Sequence, residues 1–218
     1  MGVNIGNKAL KDAYIGDKPI KKIYLGNKLL WQRLPYDAEI EYLRTDNTAY
    51  IRLDNITINS EDTIEVEFAR HNSNNNYGII YRTMNPYYFA FWVGNGGSYW
   101  TYKNETQLSS FKTTLNAKNI LKQVKNVITL NNSLTTTSSV QRPFEATNSN
   151  LYLFKFGASD TRGLIASIYS FKISDENNVA KLNLIPVRVG QVGYMYDKVS
   201  GQLFGNSGTG NFILGNDI

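Results

Sequence analysis

Two neighbouring stretches, Leu151–Phe156 and Ile165–Ser174, decide the fold class of this chain. In the second, Ile165, Tyr169, Phe171 and Ile173 share one parity and Ser170, Lys172 and Ser174 the other, which is the two-residue period of a strand with one buried face. Ser167 and Ile168 interrupt the alternation. The first stretch is a nearly continuous apolar and aromatic run, short for a helix and suited to a buried strand. With the polar loop Gly157–Gly163 between them, the two predict a hairpin in an antiparallel sheet. Its apolar face needs a second sheet to cover it, so the chain is expected to be an all-β sandwich.

The same period runs through Thr63–Phe68, where Ile64, Val66 and Phe68 alternate with Thr63, Glu65 and Glu67, and Ala49–Leu53 reads as the strand before it. Glu65 and Glu67 therefore share a face. Paired carboxylates are the equipment of glycoside hydrolysis, one serving as acid and the other as base or nucleophile. That chemistry also needs a cleft and an acid held protonated, and nothing nearby in the sequence signals either. The pair is read first as a solvent-facing surface, with a glycan-cleaving enzyme as the alternative.

An aromatic section follows the strand predicted over Gly78–Arg82. Parity puts Phe89 and Phe91 in the core and Tyr88 and Trp92 on the opposite face. Tyr87, Trp92, Tyr99, Trp100 and Tyr102 are candidate glycan-binding residues, because an aromatic face covers the apolar C–H face of a pyranose. Thr113–Asn126 is polar, carries several lysines and has no clear period. Val127–Leu130, the turn Asn131-Asn132 and the residues from Ser133 read as a strand, a tight turn and a return strand, and Val179–Val189 reads as another strand. The glycine-rich tail suits a series of turns, with Asp197 capping one of them.

The chain opens with a repeat. Ile5-Gly6-Asn7-Lys8, Ile15-Gly16-Asp17-Lys18 and Leu25-Gly26-Asn27-Lys28 recur every ten residues, and Tyr14 and Tyr24 hold equivalent places. Gly-Asn and Gly-Asp pairs supply the positive φ of tight turns, so short strands turning at Gly6, Gly16 and Gly26 are expected. Such units bury little surface by themselves and complete themselves on a partner or on the main domain. Residues 1–35 form a candidate docking or oligomerisation module, with Tyr14, Gly16, Tyr24, Gly26 and Trp31 as its contact residues. Gln32–Pro35 reads as the linker, and residues 38–218 as the sandwich.

Composition narrows the chemistry. The chain of 218 residues has no cysteine and one histidine, His71, which rules out Cys-based centres and sites built on two imidazoles of one chain. No metal or cofactor is expected, and His71, in an Asn-rich loop, is expected to be solvated. The net charge of +5 is spread over scattered lysines and arginines, which suits a solvated basic surface better than a nucleic-acid groove. No apolar stretch is long enough to span a membrane, and the opening residues lack the pattern of a secretion signal, so a protein made in soluble form is expected.

Leu184-Ile185-Pro186, then Val192-Gly193-Tyr194-Met195-Tyr196-Asp197-Lys198-Val199-Ser200-Gly201, Phe204, Asn206, Gly208-Thr209-Gly210 and Phe212 resemble the closing segment of laminin-G-like, concanavalin-A-like domains of bacteriophage and prophage structural proteins. Similar domains occur in surface proteins of gut and Gram-positive bacteria. Glu41-Tyr42-Leu43, Ile64–Phe68, Leu151–Phe154 and Ile168–Ile173 agree in order, and the resemblance covers about Ile40 to Asp217. The opening repeat is more loosely similar to segments at the start of phage tail and baseplate-associated proteins.

The resemblance implies a jelly-roll sandwich behind a small β-repeat module, in a structural protein of a phage virion. Its implied partners are other virion proteins and host-surface glycan, and its implied assembly is a homo-oligomer, with a trimer favoured. Its implied location is the exposed surface of the particle. A bacterial surface adhesin is a further alternative.

Overall fold

Turn chemistry builds the start of the chain. In a computed structural model, the described residues are 4–5, 8–9, 13–46, 48–71, 78–84, 89–94, 97–102, 105–109, 113–125, 127–132, 134–137, 146–155 and 164–218. The chain divides into two compact units, residues 1–37 and 38–218. The first unit holds β1 (Asn4–Ile5), β2 (Lys8–Ala9), β3 (Tyr14–Ile15), β4 (Lys18–Pro19), β5 (Lys22–Leu25) and β6 (Lys28–Gln32). They pair as three separate antiparallel hairpins, β1 with β2, β3 with β4 and β5 with β6. Ile15 lies across from Lys18 and Leu25 across from Lys28, which leaves two-residue loops. Gly16 and Gly26 both have φ of 58°, as expected for glycine in the first loop position of a II′ turn. Gly6 lies outside the described residues.

The second unit begins with β7 (Ala38–Glu39), β8 (Leu43–Arg44), β9 (Ile51–Ile58), β10 (Thr63–Arg70), β11 (Gly78–Met84) and β12 (Phe89–Gly94). Next come β13 (Gly97–Tyr102), β14 (Glu105–Ser109), β15 (Lys118–Val124), β16 (Val127–Leu130), β17 (Leu134–Thr137) and β18 (Ala146–Leu153). The chain ends with β19 (Ala166–Ser174), β20 (Ala180–Val189), β21 (Val192–Asp197), β22 (Leu203–Phe204) and β23 (Ile213–Leu214). All named pairings are antiparallel. The larger sheet runs β17-β16-β15-β10-β19-β20-β21-β22, with β7 beside β20, β8 beside β19 and β23 beside β8. The smaller runs β14-β13-β12-β11-β18-β9.

The core lies between these sheets. Ile64, Val66 and Phe68 of β10 and Phe171 of β19 meet Leu53, Ile80, Phe91 and Leu151 of the other sheet in one buried cluster. The Phe68 and Phe91 rings stand 6.4 Å apart, edge to face, and join the two layers. Full burial of such a side chain stabilises by about 1.5–3 kcal/mol.

Three expectations change. Leu151–Phe156 and Ile165–Ser174 are not a hairpin: β18 pairs with β9 and β11 in one sheet, and β19 with β8, β10 and β20 in the other. Both strands are apolar because each helps to line the same core from its own side. Tyr169 does not share a face with Phe171. The register of β19 on β10 steps from Glu67–Ser170 to Phe68–Ile168, so Tyr169 is an extra residue at a bulge. The step turns both Ile168 and Phe171 inward and explains the broken alternation.

The third change is β15, a strand in the stretch that carried no clear period. Its buried face is Asn119, Leu121 and Gln123, so polar residues hide the alternation. Asn119 is satisfied by donating to the carbonyls of Thr114 and Ala117 and accepting from the Thr114 amide. Gln123 donates to the carbonyl of Lys125.

The tail closes the sandwich through a clamp on residues 46–50. Asn206 Oδ1 accepts the amides of Tyr50 at 3.0 Å and Gly208 at 2.8 Å, while its Nδ2 donates to Gly210 O. A Cβ on Gly208 would stand 1.9 Å from Thr48 O, and one on Gly210 would stand 1.7 Å from Thr48 Oγ1. Thr48 in turn donates its hydroxyl and amide to Asp46 Oδ1 at 2.6 and 3.1 Å, which holds the Asp46 carboxyl below the usual carboxylate range. Asp197 caps its turn as expected, accepting the amides of Asn183, Val199 and Ser200. Arg188 closes the end of the chain with a two-point bond to Asp217, at 2.7 and 2.6 Å.

Gly208→Ala should therefore destabilise the protein by about 2 kcal/mol or more, because the neighbour it meets is backbone. Gly190→Ala, with φ of 59° and nothing within 4 Å of the new methyl, should cost only about 1 kcal/mol of conformational energy. Urea denaturation of the two variants compares them directly. Acid provides a second check. A carboxyl with a lowered folded pKa contributes stability above the ordinary value of about 4 and loses it as pH falls through the folded value, so Asp46→Asn should flatten that part of the stability profile.

Candidate functional site

The predicted glycan-binding aromatics belong to β12 and β13, except Tyr87, which lies outside the described residues. Trp92 is in register with Tyr99, Phe91 with Trp100, and Phe89 with Tyr102. The register thus splits them: Trp92 and Tyr99 share one face of the sheet, and Trp100 and Tyr102 the face of Phe91, which is fully buried. The side chains of these four lie outside the description.

Glu65 and Glu67 lie half-buried on the outer face of β10. Glu65 is in register with Lys122 on one side and Lys172 on the other. Lys118 reaches Glu67 at 3.3 Å and also stands 4.2 Å over the Tyr169 ring. Tyr42 packs edge-on against that ring at 5.7 Å. Burial, with smaller contributions from Tyr42, Glu41 and Glu67, pushes the Tyr169 hydroxyl above its ordinary pKa. The bulge at Tyr169 adds the ring to this patch by bringing it to the outer face. Cross-strand charge pairing is what the patch does chemically.

His71 departs from expectation. It is half-buried, not solvated, and both ring nitrogens are bonded, Nδ1 to Asn116 Oδ1 at 3.0 Å and Nε2 to Ser167 Oγ at 2.8 Å. In the tautomer that carries its proton on Nδ1, Nδ1 donates to the Asn116 oxygen and Nε2 accepts the Ser167 hydroxyl proton. Hydroxyl, imidazole and orienting amide stand in the order of a hydrolytic triad. Ser167, however, is only 1% exposed, so a substrate carbonyl has no path to its oxygen. The arrangement is a bolt: the His71 amide donates to Ile165 O and the Asn116 amide to Arg70 O, which ties the ends of β10 and β19 to the segment before β15. Nothing in the sequence pairs His71 with Ser167, 96 residues away.

In the first unit the contact candidates differ from one another. Tyr14 and Tyr24 are 55% and 53% exposed, and Gly16 and Gly26 form the loops between their strands. Trp31, across from Ile23, is buried. Among the described residues no group of three or more His, Cys, Asp or Glu side chains could hold a metal ion.

No protein-family model matches the chain, and no curated protein matches it. Among solved structures it is similar to a native heptameric SAP-like pentraxin from Limulus polyphemus, with a TM-score of 0.52 and 11% identity over 84% of this chain and 96% of that one. Together with the two antiparallel sheets, this likeness defines the class: an all-β protein with the concanavalin-A-like, laminin-G-like jelly-roll fold.

If the bolt is structural, His71→Ala should cost about 1–3 kcal/mol, because the buried Ser167 hydroxyl loses its partner. Ser167→Ala should cost less, since the half-buried imidazole it releases can be met by water. Thermal melts of the two variants test the order.

Proposed function

We propose that the protein is a structural component of a phage particle. Residues 1–37 dock it to another virion protein, and the sandwich is displayed outward, where it meets host-surface glycan or decorates the particle. The observation that carries this reading is the exposure of the hairpin ends: Ile15 and Leu25 are 74% and 70% exposed at equivalent points of the repeat. Apolar side chains repeated at such exposure offer a partner area to bury. The likeness of the closing segment to phage structural domains supports the setting, and assembly as a homo-oligomer, favoured as a trimer, belongs to the same proposal.

A chain shortened to residues 38–218 should fold and fail to join the particle, as read by incorporation into assembled virions. Unchanged incorporation would sink the docking role. A glycan array probed with the full chain tests the displayed face, and binding should fall when Trp92 and Tyr99, which share one face, are both changed to Ala.

A further inference from the structure

The two described hairpin ends say what kind of surface they fit, and this step rests on the docking role proposed above. Exposure follows the repeat: residues 14–18 and 24–28 are exposed, bracketed by half-buried Ala13 and Ile20 in one unit and Ile23 and Leu30 in the next. Each end sets an aliphatic residue directly across from a lysine, Ile15 from Lys18 and Leu25 from Lys28, and the first hairpin repeats the register with Ile5 and Lys8. Tyr14 and Tyr24 precede Ile15 and Leu25 by one position and so project from the opposite hairpin face, more than half exposed.

Charge is divided just as unevenly. Residues 1–37 hold seven basic and three acidic residues, a net +4, while residues 38–218 hold sixteen and fifteen, a net +1. Four of the five excess charges therefore sit in about a sixth of the chain.

We infer that the hairpin module docks into a cleft of a different protein, lined by carboxylates and apolar pockets. Carboxylates meet the lysines and set the register, while the pockets take Ile15 and Leu25. A second copy of the module is the wrong partner, because two surfaces of +4 repel, and the sandwich, at +1, carries no acidic excess to replace it. A flat anionic surface is also a poor match. It covers one face of a hairpin, whereas large side chains stand exposed here on both, and a cleft encloses both.

The test uses the full chain with four probes: polyglutamate, a random copolymer of glutamate and tyrosine, phosphatidylcholine vesicles containing phosphatidylglycerol, and duplex DNA. The copolymer should bind about tenfold more tightly than the vesicles or the DNA, and more tightly than polyglutamate, with affinity falling as salt rises. The double variant Lys18→Glu, Lys28→Glu should lose about tenfold in copolymer affinity. Ile15→Ser with Leu25→Ser should reduce copolymer binding to the level of polyglutamate while keeping the salt dependence. All four positions are exposed, so the variants should keep the wild-type circular dichroism spectrum.

Equal or tighter binding to vesicles or DNA overturns the inference. So does self-association of the full chain in light scattering that the lysine reversal abolishes. The docking role is separable: a shortened chain that still joins particles defeats that role while copolymer binding stands, and a shortened chain that fails to join, with the copolymer ignored, defeats this inference alone.

Discussion

The pairing of β10 with β19 organises the larger unit. β10 has β15 on its other side, and its inward residues carry the contact to the second sheet through Phe68 and Phe91. The bulge at Tyr169 changes the phase of β19 partway along this pairing. On one side of it Phe171 and Ile173 face the core; on the other Ile168 and Ala166 do. Tyr169 then joins Tyr42 and Lys118 on the outer face, and Ser167 meets His71. One inserted residue thus adds the Tyr169 ring to the charged face, whose Glu–Lys pairs are set by the regular pairing of β10 with β15.

Much of the fold was legible in the sequence because burial on one face writes itself as a period of two. Thr63–Phe68 lies in a strand where that period put it, and Val127–Leu130 and Val179–Val189 lie in strands close to the bounds read for them. Legibility failed where polar residues are buried and satisfied, as with Asn119 and Gln123 in β15, and where strand identity said nothing about strand partner, as with β18 and β19. Adjacency in the chain suggested a hairpin; shared burial in one core, from opposite sheets, is the physical reason both look alike. The turns of the repeat were legible at Gly16 and Gly26 because glycine alone adopts their φ without strain. His71 was not, since its partners are set by the tertiary fold.

The closing motif has a physical explanation that limits what it says about activity. Asn206, Gly208 and Gly210 stand out because the tail must press backbone against backbone at Thr48 and fasten itself through one amide side chain. Those residues build the sandwich and leave its faces free to differ. Likeness in this segment therefore carries the fold and names no binding residue.

The clamp also orders events in time. β8 finds β23, Ile40 finds Asp217 and Tyr50 finds Asn206, so strands near the start of the sandwich wait for residues made more than 150 positions later. Each hairpin of the first unit needs only residues within about a dozen positions of each other. During synthesis the two strands of each hairpin can therefore meet on the emerging chain long before the sandwich can close, because local contacts form early and distant ones late. Until residue 217 has been made, the strands at the start of the sandwich lack their partners, while both strands of each hairpin are already in the chain.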